Sequence, residues 1–556
     1  MRKILVLTIA GLLTLALVSG AAYAQGYWEL IYSQSMAMNS GFMKIDAADR
    51  DNVYIAGLHQ DGALSAVYGW RSNNGGRTVT PMYRIEMDPN DPCSMMDMMG
   101  FLLDVQFPTA NHGVLVGMGV PEECKELGMP ACMACIFMLQ AKVLYTYDGG
   151  DTWSEAPLPG QITFKILQTA EFVSDTVGYA AGAPAYIIKT TDGGFNWVEL
   201  DPPGGNENLG INELYFLDEN HGWMSTGDLD PEEPESDAQN DPDAWYEAVS
   251  ERINYIHNPL YRLQWKLDHD GKGKGMNGVL YHTDDGGLSW ESINTAGQES
   301  YLASFFVTPE KGFVLADPLA GTTNDMFRLY MTDDGGDSWQ RVTNLPASVP
   351  GGTAYIIQAL YFTDEDNGWA FGAAAGGLFY KSVILQTTDG GESWVADPFC
   401  GTASHPLLAA DFVDKKTGFA AGMYLGLAGY VGPNTLPIAD AGLDQEVALG
   451  DIVTLDGSGS SDADGDELSF IWSQPAGPLA EMDDTTIMQP TFEATELGEL
   501  TFELVVSDGE GLSEPDQCTV LVTEEGPVED DDDDTGGDDD DDDDDDDDGC
   551  GGCGVL

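Results

Sequence analysis

The stretch TTDGGFNW, Thr190–Trp197, decides the fold, because the chain returns to it at intervals. Four further copies keep the Asp, the Gly pair and the Trp: YTYDGGDTW, HTDDGGLSW, MTDDGGDSW and QTTDGGESW, ending at Trp153, Trp290, Trp339 and Trp394. A degenerate copy, RSNNGGRTV, ends at Val79. A motif that recurs in this way indicates a repeat architecture.

A second motif precedes each copy, and it occurs seven times. Clear examples are FVSDTVGYAAG (172–182), FLDENHGWMSTG (216–227) and FTDEDNGWAFG (362–372). Each reads as an apolar strand, a polar turn and a second strand, which is the pattern of a β-hairpin. A third strand, the DGG turn and a fourth strand follow. Seven units of four antiparallel strands predict an all-β fold, a seven-bladed β-propeller over residues 25–432.

The two ends of this region are complementary. The seventh unit has its hairpin at 412–422 and a candidate third strand at 426–431, but no DGG turn and no fourth strand after it. The segment YWELIY, 27–32, has the sequence of a strand that follows such a turn. We therefore expect this N-terminal strand to complete the last blade and to remove its exposed edge.

The repeated turn is predicted to be structural. Its Asp can accept hydrogen bonds from turn N–H groups, its glycines supply positive φ angles, and its Trp packs between strands. Six copies spaced around a ring cannot converge on one substrate, so no catalytic residue is assigned. The structural residues are Asp148, Trp153, Asp192, Trp197, Asp285, Trp290, Asp334, Trp339, Asp389 and Trp394.

Strand parity predicts which face of the ring binds a ligand. The DGG turns join third and fourth strands and therefore mark one face. The long insertions, assigned to 80–100, 118–141 and 228–278, all fall on the opposite face. Because loops carry function on rigid scaffolds, we expect a binding site on the face opposite the turns.

The insertion 228–278 has helix-like spacing after its acidic start, which fits either a helical cap or a partner-binding helix.

Cysteine and methionine are concentrated in two of these insertions. Cys93, Cys124, Cys132 and Cys135 are the disulfide candidates, since an exported chain favours disulfides. The alternative is a soft-metal site, because thiolate and thioether ligands suit Cu(I).

Composition and the N-terminus indicate export. Arg2 and Lys3 precede an apolar run, and small residues precede Gln25, so residues 1–24 are predicted to be a signal peptide. The chain has 22 basic and 94 acidic residues, a net charge of −72, which argues against nucleic-acid binding. We expect a periplasmic, secreted or cell-surface monomer without a transmembrane segment in the mature chain.

Residues 436–524 have the texture of a β-sandwich, with a strand Trp at Trp472 and a closing VSDGEG turn. Within it, Asp462, Asp464 and Asp466 place carboxylates at alternate positions, a spacing that suits Ca²⁺, the one cofactor considered beyond copper. Solvated turn acids are the alternative.

Residues 525–556 contain two Asp runs and a Gly/Cys end, which predict a disordered spacer.

These motifs resemble known families. The Asp-Gly-Gly-x-[Ser/Thr]-Trp element is that of the Asp-box, or BNR repeat, and its companion hairpin looks most like photosystem II stability/assembly factor-like propellers. Residues 436–524 resemble the PKD domain, an immunoglobulin-like module of surface proteins. The first resemblance implies a propeller fold and is weakly specific for function.

Three functions remain open at this point. The preferred one is a non-catalytic binding or scaffold protein that recognises an extracellular or periplasmic protein or glycan, with the PKD domain as a spacer. The alternatives are an Asp-box glycoside hydrolase and an assembly factor for a membrane complex. A sialidase is disfavoured, because such enzymes need an arginine triad and the mature chain has eight arginines, three of them in or beside the DGG turns: Arg71, Arg77 and Arg341.

Overall fold

The computed structural model describes two compact units, with the boundary between Pro433 and Asn434. The described residues are 26–33, 40–60, 65–86, 101–119, 140–160, 162, 165–206, 209–228, 278–293, 299–318, 326–350, 352, 354–376, 379–401 and 403–526. Within them the regular secondary structure is strand, apart from one 3-10 turn at Pro203–Gly205. No helix in these ranges has the length and apolar character needed to cross a membrane.

The first unit consists of four-stranded antiparallel sheets, named blades here. Blade 1 is β2 (Gly41–Ala47), β3 (Asn52–Gln60), β4 (Ser65–Asn73) and β5 (Thr80–Glu86). Blade 2 is β6 (Phe101–Gln106), β7 (Gly113–Gly119), β8 (Gln140–Thr146) and β9 (Ser154–Glu155). Blade 3 is β10 (Ile166–Phe172), β11 (Gly178–Ala183), β12 (Tyr186–Thr190) and β13 (Val198–Leu200).

The remaining sheets continue the pattern. Blade 4 is β14 (Leu209–Phe216), β15 (Gly222–Asp228), β16 (Leu280–Thr283) and β17 (Glu291–Ile293). Blade 5 is β18 (Glu299–Phe306), β19 (Gly312–Pro318), β20 (Arg328–Thr332) and β21 (Gln340–Arg341). Blade 6 is β22 (Tyr355–Phe362), β23 (Gly368–Gly376), β24 (Phe379–Thr387) and β25 (Val395–Ala396). Blade 7 is β26 (Leu407–Phe412), β27 (Thr417–Gly422), β28 (Gly426–Val431) and, from the N-terminus, β1 (Tyr27–Tyr32).

The blades form a closed ring. The first strand of each blade contacts the first strand of the next, and β26 of blade 7 contacts β2 of blade 1. β1 pairs antiparallel with β28, with Trp28 opposite Tyr430, and so supplies the fourth strand of blade 7. Apolar clusters fill the spaces between neighbouring blades, where one blade's strands face the next. The all-β propeller with N-terminal closure that the sequence predicts is the observed architecture.

Each inner strand carries a bulge at the same position. The register with the second strand shifts at Phe42/Lys44, Leu102/Asp104, Leu167/Thr169, Ile211/Glu213, Tyr301/Ala303, Ile357/Ala359 and Leu407/Ala409. A bulge inserts one residue and re-aims the side chains that follow it. The residues after the bulge line the axis of the ring.

One predicted boundary is wrong. The sequence pattern places residues 80–86 in an insertion, but they form β5, the outer strand of blade 1. The degenerate turn before it lacks the Trp that marks a fourth strand, and Pro81 disfavours a strand interior. Pro81 is tolerated because β5 is an edge strand with a neighbour on one side only. The connection between β5 and β6 therefore spans 87–100.

The second unit is a small β-sandwich. One sheet has the order β29 (Gln445–Ala448), β34 (Asp516–Thr523), β33 (Gly498–Ser507) and β31 (Ser469–Ala476), and the other pairs β30 (Ile452–Thr454) with β32 (Thr491–Glu493). The core contains Trp472, Phe492 and Phe502. The indole Nε1 of Trp472 donates to the Ile487 carbonyl at 3.2 Å, which satisfies its polar group inside the sandwich.

Removing the Trp28 side chain tests the closure of the ring. Trp28 is 5% exposed and packs against Phe371, Phe412 and Tyr430 with ring centroids 5.2, 5.7 and 5.3 Å away. Trp28→Ala is expected to lower the free energy of unfolding by about 3–5 kcal/mol, the usual cost of truncating a buried Trp. Chemical denaturation measures this change.

The matched control is Leu30→Ala on the same strand, because Leu30 is 40% exposed. This change is expected to cost less than about 1 kcal/mol. Equal losses for the two variants would mean that the strand contributes by backbone pairing alone.

Candidate functional site in the central channel

The Asp-box turns are closed hydrogen-bonded units. In blade 3 the Thr190 hydroxyl donates to Asp192 Oδ1 at 3.0 Å and accepts from the Gly194 N–H at 2.8 Å. Asp192 also accepts the backbone N–H of Asn196 at 2.9 Å and its side-chain amide at 2.7 Å. The Trp197 indole donates to the Gly194 carbonyl at 2.9 Å. The Thr hydroxyl, the Asp carboxylate and the Trp indole are therefore all used to hold the turn.

The other four boxes repeat the carboxylate bonds, whereas the indole bond recurs at Trp394 alone, and the indole nitrogens of Trp153, Trp290 and Trp339 have no partner among the described residues. The carboxylates of Asp148, Asp285, Asp334 and Asp389 each accept a preceding Thr hydroxyl and the N–H and hydroxyl of the residue four positions later. The hydrogen bond from Ser338, with the others, holds the pKa of Asp334 at about 2. Trp394 is buried, and Trp153, Trp290 and Trp339 are half-buried beside their turns.

Backbone hydrogen bonds fix the face on which the boxes lie. A box glycine donates to the turn between the first and second strands of its own blade, as Gly149 does to Asn111 at 2.8 Å and Gly286 to Asn220 at 3.0 Å. Both kinds of turn therefore share one end of the blade, called the box face here. The connections 87–100, 120–139 and 229–277 leave strands at the opposite end.

A cavity of about 260 Å³ lies along the ring axis, lined by the inner strands of the blades. One ring of lining residues stands at the last or next-to-last position of these strands near the box face: Asp46, Gln106, Glu171, Tyr215, Phe305, Tyr361 and Asp411. A second ring lies two residues earlier and includes Lys44, Asp104 and Glu213. Of the described residues that line the cavity, five are acidic and one is basic.

The acidic side of the channel links neighbouring blades. Asp411 Oδ2 accepts the Ala47 N–H at 2.7 Å, and Asp104 Oδ2 accepts the Ala170 N–H at 2.9 Å. Asp46 accepts the N–H of Phe107 in the same way. Each carboxylate thus bonds to the inner strand of the following blade, and these bonds connect blades 7, 1, 2 and 3.

The opposite side of the channel is aromatic. Phe305 lies between Tyr215 and Tyr361, with ring centroids 5.1 and 5.3 Å away. The Tyr215 hydroxyl donates to the Phe306 carbonyl at 2.8 Å, which links blades 4 and 5. The channel therefore presents carboxyl groups along one wall and aromatic rings along the other.

Burial governs the protonation of the channel. It raises the pKa of Asp104 to about 6 although Lys44 opposes the shift, and it raises the pKa of Asp411 to about 6 against the N–H donors of Ala47 and Phe412. Burial and the neighbouring carboxylates raise the pKa of Glu171 well above its ordinary value. For Lys44 burial lowers the pKa, but Glu213 at 2.7 Å and Asp104 outweigh burial and raise the pKa overall.

The sequence motifs did not reveal these channel residues. They lie just before the motif Phe in six repeats and before Ala47 in the first, and the seven copies have Asp, Gln, Glu, Tyr, Phe, Tyr and Asp. Alignment of the repeats shows that this position varies in chemistry, whereas the residue after it is Phe in six of the seven copies. That contrast is the signal that would have found the channel.

The predicted cysteine site lies outside the described residues. This applies to Cys93, Cys124, Cys132 and Cys135, for which disulfide pairing and copper binding stay predictions. Cys400 and Cys518, in the described part, are buried free thiols. Burial raises the pKa of Cys518 to about 11, so its thiol is unreactive at neutral pH.

The three predicted calcium ligands lie together. Carboxylate oxygens of Asp462, Asp464 and Asp466 are within 4.8 Å of one another. Asp462 Oδ1 accepts the N–H groups of Asp464 and Asp466 at 2.8 and 3.1 Å, and Asp464 accepts the Thr435 N–H at 2.7 Å. Within the described residues, Asp462 Oδ2 has no hydrogen-bond partner. The donor set is hard oxygen and fits Ca²⁺, while the turn's own hydrogen bonds also account for the clustering.

Comparison with known proteins agrees with the two-unit architecture. Residues 441–522 match the family model described as K319L-like, PKD domain. The mouse dyslexia-associated protein KIAA0319-like protein is 36% identical over 94 residues, which are 16% of this chain and 9% of that protein. The second unit is therefore a PKD domain.

Over the first unit the chain is similar to chloroplast photosystem II stability/assembly factor HCF136. The protein of Arabidopsis thaliana is 24% identical over 316 residues, and that of Oryza sativa subsp. japonica is 24% identical over 300. Each match covers 52% of this chain, and the matches cover 70% and 63% of the two relatives.

Solved structures of propeller proteins are also similar to the chain. YCF48 bound to D1 peptide has a TM-score of 0.44 at 16% identity, covering 73% of this chain and 96% of that one. The GH74 xyloglucanase from Xanthomonas campestris has a TM-score of 0.44 at 12% identity, covering 88% of this chain and 69% of that one.

Replacing Glu171 by Gln tests the electrostatic cost of the channel. Because its pKa is raised in the folded state, the native protein binds more protons than the unfolded chain, so stability falls as pH rises through the range in which Glu171 ionises. Glu171→Gln is expected to raise the Tm at about pH 8 and to have a smaller effect at about pH 5. Thermal melts at the two pH values measure this difference.

Glu365→Gln is the control, because it removes the same charge from an exposed turn on the box face. Its Tm change is expected to be small at both pH values. A Glu171→Gln variant that is less stable at about pH 8 would show that the ionised carboxylate stabilises the ring.

Proposed function

We propose that this protein is an exported, non-catalytic binding or scaffold protein. Its propeller recognises a protein or a glycan through the face opposite the Asp-boxes, and the PKD domain acts as a spacer. The observation that carries this proposal is the asymmetry of the connections: the box-face turns are short and bonded to one another, whereas the connections 87–100, 120–139 and 229–277 all leave from the other end. Loops on a rigid scaffold are where binding sites concentrate.

The named relatives support a binding role over a catalytic one. The HCF136 proteins are described as photosystem II stability/assembly factors. Assembly of a membrane complex is accordingly the related alternative for this chain. Its net charge of −72 favours a partner with a basic surface.

Glycoside hydrolysis is the second candidate, and the channel favours it. Asp104 and Asp411 have pKa values of about 6 inside a cavity, the condition under which a carboxylic acid can donate a proton near neutral pH. Against it, these carboxyl groups already accept hydrogen bonds between blades. In a hydrolase, these carboxyl groups would have to act on the substrate while keeping the hydrogen bonds that join the blades.

Shortening a long connection tests the binding face. In blade 3, Pro184 and Ala185 suffice to join the second and third strands, so the same two-residue turn can replace 229–277 in blade 4. The variant is expected to keep its Tm and to lose at least about 90% of its binding on a glycan array or to a purified basic protein partner. The full chain is used throughout.

The control is Leu288→Ala, which changes a 71% exposed side chain on the box face of the same blade. Its binding is expected to equal that of the unmodified protein. Loss of binding in this control would place the binding site on the box face and contradict the proposal. If the protein hydrolyses a glycoside and Glu171→Gln or Asp411→Asn abolishes that activity, the binding proposal is wrong and the protein is a glycoside hydrolase.

We also propose that Asp462, Asp464 and Asp466 bind Ca²⁺ in the PKD domain. Ca²⁺ at millimolar concentration is expected to raise the Tm of the PKD transition, because an ion bound only by the folded state stabilises it. The double change Asp462→Asn/Asp466→Asn is expected to abolish the rise while leaving the acidic tail unchanged. Differential scanning calorimetry of both proteins with Ca²⁺ or Mg²⁺ decides the question, and an equal rise in both would contradict the site.

A further inference from the structure

Two histidines and an aspartate meet on the box face of blade 4. His221 ends the turn between β14 and β15, His282 lies on β16, and Asp284 begins the box turn. Asp284 Oδ1 lies 3.2 Å from His282 Nε2 and 3.9 Å from His221 Nε2. Two imidazole nitrogens therefore converge on one carboxylate.

A hydrogen bond to Asp218 determines which ring nitrogen of His221 carries the proton. His221 Nδ1 lies 2.8 Å from Asp218 Oδ2, and a carboxylate can only accept, so Nδ1 carries the proton. In the neutral ring Nε2 then has the free lone pair, and it is the atom that faces Asp284. A histidine that donates its second nitrogen to a carboxylate is the usual arrangement around protein-bound metals.

His282 is held in place by packing. Its ring stacks on Trp223 with centroids 4.9 Å apart and planes inclined by 25°. Its Nε2 is buried and makes no hydrogen bond of acceptable geometry within the described part of the chain, although the Asp284 oxygen is close.

The other blades show that the fold does not require these residues. In blade 6 the position of His221 is Asn367, whose amide donates to Asp364 at 2.9 and 3.1 Å just as His221 donates to Asp218. The positions of His282 and Asp284 are Gln386 and Thr388 in that blade. Across blades 1, 2, 3 and 5 these two positions hold Arg71 and Asn73, Tyr145 and Tyr147, Lys189 and Thr191, and Met331 and Asp333.

We propose that His221 Nε2, His282 Nε2 and the Asp284 carboxylate bind one Zn²⁺ ion. Two histidines and a carboxylate are a recognised zinc ligand set, which leaves a fourth position for water. Asp285 cannot compete, because its carboxylate is bonded to Thr283 and Ser289. The two imidazole nitrogens and the carboxylate do not yet all lie within 4.8 Å of one another, so binding requires Asp284 and His221, which are 74% and 34% exposed, to rotate toward the ion while His282 stays stacked.

The test compares the full chain with the variant His221→Asn/His282→Gln, which installs the residues of blade 6. Zn²⁺ titration is expected to show one equivalent per chain that the variant loses or binds at least about tenfold more weakly. Co²⁺ substitution is expected to give a visible tetrahedral spectrum with nitrogen and oxygen ligands in the unmodified protein alone. The cysteines and the Asp runs are the same in both proteins, so binding there cancels in the comparison.

Asp284→Thr, which copies blade 6 at an exposed position, gives a third measurement that does not disturb packing. His59→Gln, in blade 1, is the control and is expected to leave the Zn²⁺ equivalent intact. Melts without metal check that each variant folds. Identical Zn²⁺ stoichiometry and affinity in the unmodified protein, the double variant and Asp284→Thr would overturn the proposal.

Discussion

The pairing of β1 with β28 is the interaction on which the first unit depends. Without β1, blade 7 would have three strands and would expose the edge of β28 to solvent. The residues that pair are separated by about the whole length of the unit, as Trp28 and Tyr430 show. Their contact turns a row of sheets into a closed ring in which each inner strand has a neighbour on both sides.

Closure also explains how the channel tolerates its carboxyl groups. Burial raises the pKa of Asp104, Asp411 and Glu171, so ionising them in the folded protein costs free energy. Asp104 and Asp411 recover part of this cost by accepting N–H groups of the next blade. The Glu171 carboxyl group has no hydrogen-bond partner among the described residues, although it interacts electrostatically with Lys44. An acid that is expensive to bury and that bonds to nothing is a candidate for ligand binding.

The blade count, the closing strand and the face of the boxes were predictable because each rests on local signals. An eight-residue turn with a Gly pair and a Trp specifies its own geometry, as Asp192 and Thr190 show. The channel was not predictable in this way, because Lys44 and Glu213 meet only after four blades have packed. The start of the first insertion was misplaced for a related reason, since the degenerate turn before β5 lacks the Trp signal.

Comparing equivalent positions of the seven repeats shows which residues the fold requires and which it leaves variable. At the box Asp the copies agree, and the hydrogen bonds show that the turn itself needs a carboxylate or, at Asn74, an amide oxygen. At the position of His221 the copies hold Asn52, His112, Val177, Lys311, Asn367 and Thr417, so the turn accepts many residues there. The fold does not require a histidine at position 221, yet His221 lies beside His282 and Asp284, two residue types that bind metals. Metal binding therefore explains this histidine better than a structural role does. The same reasoning applies to the channel, where the backbone is constant and the side chains divide into an acidic wall and an aromatic wall.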